Sequence, residues 1–390
     1  LQLKLPMHTQ QDIWEMFQRT FYEQPLMVRS CGRINIIGEH TDYNDGFVLP
    51  ASINRHLFFA IAENGTNECH FHAADVGQEH HFKITEIERC DKAWANYLMG
   101  VLQQLQEEEI PLEGLDVVFG GDLPIGAGMS SSAALESGFA LGVCTLFNLQ
   151  KSRQELAQLA QRSSHQFVGV PCGIMDQFAS LLGRRGQAIK LDCRSLHYEY
   201  IPLQLGDYDW VLIDSGVSHD LADSAYAKRV EECQQGVRTL QLFYTEVESL
   251  RDVSLEQLER SKAAMPEQVY HRCRYVLEEN ERLQQAVDAL NQSDMPALGS
   301  LMLQTHSGLR DSYEVSCREI DYLVELAESH PGVAGARLMG GGFGGCTLNL
   351  VQKQAKADFL KHAKRQYYRA FSADAKHYEL EVVDGTDVVS

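Results

Sequence analysis

The stretch from Asp122 to Glu136, DLPIGAGMSSSAALE, leaves the chain around it few ways to fold. Leu115 to Phe119 is an apolar run that reads as a strand, and Leu123-Pro124 closes it. Gly126 and Gly128 then allow a tight turn, because glycine reaches positive φ at little cost and leaves room for a ligand against the backbone. Ser130, Ser131 and Ser132 follow, and Ala133, Ala134 and Leu135 open a helix. Serine suits a helix N-terminus, where four backbone N–H groups lack partners. That end also carries partial positive charge and attracts anions. The succession of strand, glycine loop, hydroxyls and helix predicts a phosphate cradle; the competing expectation is an ordinary strand–turn–helix connection. The loop lacks the Gly-Lys-Ser/Thr of a P-loop and the GxGxxG of a dinucleotide fold.

A polyphosphate bound here would have to be met by local features, since the 390-residue chain carries a formal net charge of −20. That charge argues against nucleic acid and anionic membranes as partners. With 44% hydrophobic and 23% charged residues the chain is globular and long enough for two domains or one large one. The ten cysteines form no CxxC pair and no zinc-site spacing, which points to a reducing compartment. No apolar run is long enough to span a bilayer, and the N-terminal residues do not read as a secretory leader. The expected location is the cytoplasm.

Upstream of the loop, a helical pattern over Asp12 to Tyr22 leads into a strand beginning at Leu26. GRINIIGEHTDYNDGFVLPASI follows, Gly32 to Ile53, in which Arg33, Glu39, His40, Asp42, Tyr43, Asn44 and Asp45 crowd around turn signals. Such a cluster is often a solvated loop. Here Ile34, Ile36, Ile37, Phe47, Val48 and Leu49 pin it to a core, and binding residues sit on loops held that way. Its two carboxylates and imidazole would accept hydrogen bonds from a polyol such as a sugar; metal binding is the weaker alternative at this spacing. His56 to Glu63, Cys69 to Ala74 and His80 to Ile84 read as strands, with Asn64-Gly65 as a hairpin turn between the first two. Trp94 to Leu105 reads as a helix, in which Trp94 and Tyr97 are expected in the core.

Ala133 to Leu149 and Gln154 to Phe167 are amphipathic helices, followed by GVPCGIMDQFASLLG with Asp176 between apolar residues. An acid at a helix start is usually an N-cap. One flanked on both sides by apolar residues is instead partly buried and needs a partner. Strands at Gln187 to Asp192, Leu196 to Pro202 and Asp209 to Ile213 precede a mainly helical half. Near the end GGGFGG, Gly340 to Gly345, lies between apolar stretches. Five glycines in six positions cannot make a stable helix or strand, so a loop that approaches something closely is expected.

GRINIIGEHTDYNDGFVLP, LPIGAGMSSSAALE and LMGGGFGG, in this order, resemble the signature blocks of the galactokinases, in the GHMP kinase superfamily. VPCGIMDQ, WANY at Trp94 and HDLADSAY at His219 fit as well. The resemblance implies an α+β GHMP kinase fold: an N-terminal domain like ribosomal protein S5 domain 2, taken as 1–205, and a ferredoxin-like C-terminal domain, taken as 206–390. It implies transfer of the γ-phosphoryl of MgATP to the C1 hydroxyl of α-D-galactose; a monomer is expected, with an oligomer left open. It assigns Asp176 as the catalytic carboxylate and Arg33 as its cationic partner. Glu39, His40, Asp42, Gly173 and Tyr226 would hold the sugar. Gly126, Ala127, Gly128, Met129, Ser130, Ser131 and Ser132 would wrap the phosphates, Ser132 would meet magnesium, and Gly341 and Gly342 would close over the site. Trp94 and Tyr97 would lie near the adenine, against their expected core role. One position departs from the pattern: the glutamate usual twelve residues before the catalytic aspartate is Ser164 here. A hydroxyl is a weaker ligand for a hard cation than a carboxylate. The alternatives are a kinase for N-acetylgalactosamine or a related sugar, and a catalytically weak galactose sensor; the intact SSSAA run favours the enzyme.

Overall fold

The computed structural model describes residues 7–217 and 222–389. Its largest sheet has six strands in the order Asp387–Val389, Leu26–Asn35, Pro50–Glu63, Leu115–Gly121, Glu68–Ala73, Gln78–Lys83. All neighbours are antiparallel except Glu68–Ala73 with Leu115–Gly121. Successive side chains of a strand point to opposite faces, and both faces are covered. Phe59, Ile61 and Val117 join the main core on one side. Ala60, Ala62 and Val118 pack against Ile13 and Phe17 of the Gln10–Phe21 helix on the other. A four-stranded antiparallel sheet, Val333–Leu338, Cys346–Gln352, Tyr208–Asp214 and Lys376–Glu379, lies in the second half among helices that include Glu267–Asn291, Met295–Asp311 and Lys356–Phe371. The expected α+β class therefore holds.

The main core runs through both halves. It contains Val28 and Phe139 as well as Trp210, Leu298 and Leu348. The chain also returns: Asp387–Val389 pairs with Leu26–Asn35, so the last strand completes the first sheet. No helix among the described residues is long and apolar enough to cross a membrane. All ten cysteines are free thiols.

Two expectations need correction. Asn64-Gly65 does not close a hairpin. Leu115–Gly121 enters between the two strands it joins, and Gly114 pairs with the turn on both sides (Asn64 N to Gly114 O, 3.1 Å; Gly114 N to Thr66 O, 2.8 Å). The helix expected over Gln154 to Phe167 instead runs as Arg153–Arg162, and then widens into a π-helical turn, Ser163–Val168. His219, in the HDLADSAY motif, lies outside the described residues.

Candidate active site

The glycine loop follows its strand as expected, and the helix after it is Ser131–Leu146. Gly126 and Gly128 both have φ of 75°, the left-handed region that favours glycine. Ser130 occupies that region too, at φ 59°, where a side chain is strained. Its hydroxyl does not cap the helix but bonds Asp176 Oδ2. The first helical turn carries no acid, so the N-terminal dipole remains available to an anion.

The second glycine loop packs against the first, backbone to backbone. A Cβ on Gly128 would stand 3.1 Å from Met339 O, and one on Gly340 3.4 Å from Gly128 O. A methyl group on Gly128 would crowd the second loop, whereas one on Gly340 would rest in ordinary contact with the first.

A cavity of about 390 Å³ opens beside this contact. Arg33, Glu39, His40, Asp42, Gly128, Ser130, Ser132, Gly173, Asp176, Tyr226, Gly341 and Gly342 all line it. Arg33 is aimed by a register shift in its strand between Cys31 and Arg33. Bulges of this kind redirect side chains next to functional sites. Gly32 makes the shift possible, since a Cβ there would meet Met129 O at 2.9 Å. The Arg33 guanidinium then forks onto Asp176, with Nε to Oδ1 at 2.8 Å and a terminal nitrogen to Oδ2 at 3.0 Å. Its other terminal nitrogen donates to Gly128 O at 2.5 Å. Burial works against the Arg33 charge, but Asp176, Glu39 and Asp42 outweigh it and raise its pKa. Asp176 is the second residue of the Met175–Leu182 helix, so it is not the N-cap. Its partner is Arg33.

Glu39 is buried, and its Oε1 accepts from Arg337 (2.9 Å) and from Gly340 N (2.8 Å). Arg337 is fully buried and also donates from Nε to Ile36 O at 2.8 Å. This ion pair ties the Glu39 loop to the second half of the chain. His40 sits at φ 61°, with Nδ1 2.8 Å from the Tyr43 hydroxyl and Nε2 without a hydrogen-bond partner among the described residues. Burial, with the Arg229 charge nearby, pushes the imidazole down to about 3, so it is neutral. Burial and the neighbouring Asp176 push the Asp42 carboxyl up to about 7. Gly173 faces Asp42 so closely that a Cβ would fall 1.8 Å from Oδ2, which explains a glycine at this position. Tyr226 packs over His40, with ring centroids 5.4 Å apart.

Other expected residues lie outside the walls of this cavity: Trp94, Tyr97, Gly126, Ala127, Met129 and Ser131. Trp94 is half-buried, contacts Phe119 and donates from its indole to Gln78 Oε1 at 2.8 Å. The Tyr97 carbonyl accepts from Ser163 at 3.3 Å. Ser164 is buried, and its hydroxyl donates to Glu136 Oε1 at 2.7 Å. Sequence reasoning missed the parts played by Glu136 and Arg337. The signal for Arg337 was a lone charge inside the apolar run Ala336 to Met339.

Residues 15–63 match the galactokinase galactose-binding signature, and residues 96–184 and 286–370 match the GHMP kinases N-terminal and C-terminal domains. A galactokinase of Thermotoga maritima is 40% identical over 93% of this chain and 100% of its own length. The chain belongs to the galactokinase family. Another galactokinase, of Roseiflexus sp. (strain RS-1), is 42% identical with 96% of each chain covered. The crystal structure of Lactococcus lactis galactokinase complexed with galactose superposes with a TM-score of 0.93 at 32% identity, covering 96% of this chain and 98% of that one. The Methanococcus jannaschii mevalonate kinase, at 16% identity and a TM-score of 0.66, shares the fold. The GHMP kinase fold and the enzyme class, a phosphotransferase, thus follow from family membership.

Proposed function

We propose that the protein transfers the γ-phosphoryl group of ATP to the C1 hydroxyl of α-D-galactose. The observation that carries this reading is the Arg33–Asp176 pair, held against the glycine loop in one cavity with Glu39, His40 and Asp42. The phosphates lie along Gly126 to Ser132 at the helix N-terminus, with Gly341 and Gly342 opposite and the adenine toward Trp94 and Tyr97. The sugar takes the end formed by Glu39, His40, Asp42, Gly173 and Tyr226.

Asp176 orients the C1 hydroxyl and accepts its proton late. Phosphoryl transfer passes through a loose transition state that asks little of the nucleophile, so a carboxylate paired with a guanidinium is base enough. Arg33 fixes that carboxylate and adds positive charge where the phosphates approach. Magnesium suits a site with few protein oxygens, the remainder coming from phosphates and water. The Ser132 hydroxyl on the cavity wall fits that description, whereas Ser164 and Glu136 are engaged with each other. Ser132 would hold the ion, which when bound neutralises charge on the phosphates.

We take residues 1–205 and 206–390 as the two domains, with the last strand crossing back to the first sheet. The ten free thiols support a cytoplasmic location. A monomer suffices for a cavity built from one chain.

A panel of galactose, glucose and N-acetylgalactosamine with MgATP tests the reading. A buried polar group left without its partner costs about 1–3 kcal/mol, so glucose should lose at least about tenfold in kcat/KM. Equal turnover of glucose would remove the pocket assignment. Preference for N-acetylgalactosamine would move the reading to that sugar.

A further inference from the structure

The outer hairpin of the six-stranded sheet, which lends no residue to the walls of the catalytic cavity, carries an unusual concentration of imidazoles. Glu68–Ala73 pairs antiparallel with Gln78–Lys83, placing His70 opposite His81 and His72 opposite Glu79. The alternation of a strand puts all four on one face, while Cys69, Phe71 and Ala73 point into the core. The separation from His72 Nδ1 to Glu79 Oε1 is 3.7 Å, and that from His81 Nε2 to Glu79 Oε2 is 3.5 Å. Among the described residues, His72, Glu79 and His81 are the one group of three whose ligand atoms all fall within 4.8 Å of one another. Metal–nitrogen and metal–oxygen bonds of about 2.0–2.2 Å in a tetrahedral site place neighbouring ligand atoms about 3.4 Å apart. The two nitrogen–oxygen separations, each to a different oxygen of Glu79, are close to that, and the spacing between the two imidazoles falls within 4.8 Å.

We propose that His72, Glu79 and His81 form a binding site for a divalent transition-metal cation of the zinc class. Two imidazoles and one carboxylate favour such ions over magnesium, which prefers an all-oxygen shell. Glu79 and His81 are exposed, so the remaining coordination is open to water. Phe21 packs on both His70 and His72, with the His72 ring 5.3 Å away, and steadies the liganding face. His70 is held by Asp116 at 2.7 Å and backs His81, with ring centroids 5.0 Å apart. Because the ligands come from both strands, the bound ion staples the outer edge of the sheet. The site shares no residue with the phosphotransfer machinery.

The test uses the untagged full chain and zinc sulfate alone, compared with His81→Ala and Glu79→Gln, whose side chains are exposed. Calorimetry should show a site in the native protein that survives a hundredfold excess of magnesium. Its affinity should fall at least tenfold in each variant. Zinc should raise the melting temperature of the native protein more than that of either variant. Galactose phosphorylation in MgATP should be equal in all three, which verifies that the variants fold. Crystals soaked in zinc should give an anomalous peak between the three side chains. Isotherms that superimpose for native protein and both variants, no zinc binding by the native protein, or an anomalous peak only elsewhere would overturn the proposal.

Discussion

At the scale of single residues the proposed transfer turns on Asp176. Asp176→Asn should bind galactose within a few fold of the native protein, because the amide still accepts a hydrogen bond. Its kcat should fall by roughly 10²–10⁴, the usual worth of a positioned acid–base group. Near-normal turnover would take Asp176 out of the mechanism. Arg33→Lys should be milder than Arg33→Ala, since charge survives while the fork onto Asp176 is lost. Glu136 supplies a separate test. It is fully buried, and burial pushes its carboxyl up to about 8. Gln177 donates to it at 3.4 Å, while Gln177 Oε1 has no partner. Reversing that amide would let a protonated Glu136 donate to it, which suits a neutral acid. A carboxyl whose pKa is raised by folding contributes stability that is full below its unfolded pKa, about 4.5, and is lost as pH rises through about 8. Glu136→Gln should therefore gain on the native protein steadily across that window when denaturation midpoints are measured against pH. Parallel profiles would show that Glu136 is not neutral in the fold.

At the scale of elements, the two glycine loops form one unit. Gly128→Ala puts a methyl group 3.1 Å from Met339 O at φ 75°, whereas a Cβ at Gly126 meets nothing within 4 Å. ATP affinity should fall at least tenfold in Gly128→Ala and clearly less in Gly126→Ala, with calorimetry reading both; equal losses would mean that backbone strain alone matters. These loops were legible in the sequence because clustered glycines between apolar runs cannot form a stable helix or strand and leave room for a close backbone approach. Arg33, Asp42 and Asp176 were legible for a similar reason, being polar side chains pinned by apolar flanks. What escaped was pairing between distant segments. Asn64-Gly65 looks like a hairpin turn locally, yet Gly114 comes from about fifty residues further on to separate its strands. Nor did Ser164 announce Glu136 as its partner, since the contact forms only when two helical segments pack together.

At the scale of the whole molecule, the halves are joined by a shared core, by the Arg337–Glu39 pair and by the returning C-terminal strand. Removing one member of a buried ion pair costs about 3–5 kcal/mol, so Arg337→Ala should lower the chemical denaturation midpoint sharply and weaken galactose binding through Glu39. A variant with native stability would show the pair to be incidental. Deleting residues from Thr386 onward should also cost several degrees of melting temperature. Thr386 is buried with its hydroxyl 3.0 Å from that of Ser30 and 2.9 Å from that of Ser180, and the strand after it closes the sheet edge. This architecture brings the Glu39 to Asp42 loop, both glycine loops and the Arg33–Asp176 pair to one cavity, and the proposed transfer to the C1 hydroxyl fixes the position of the new phosphate bond. Proton-coupled phosphorus NMR of the reaction with galactose and MgATP reads that position directly. The expected product is a single sugar phosphate whose phosphorus couples to the anomeric proton, formed at the expense of ATP. A phosphate on any other carbon, or no sugar phosphate at all, would contradict it.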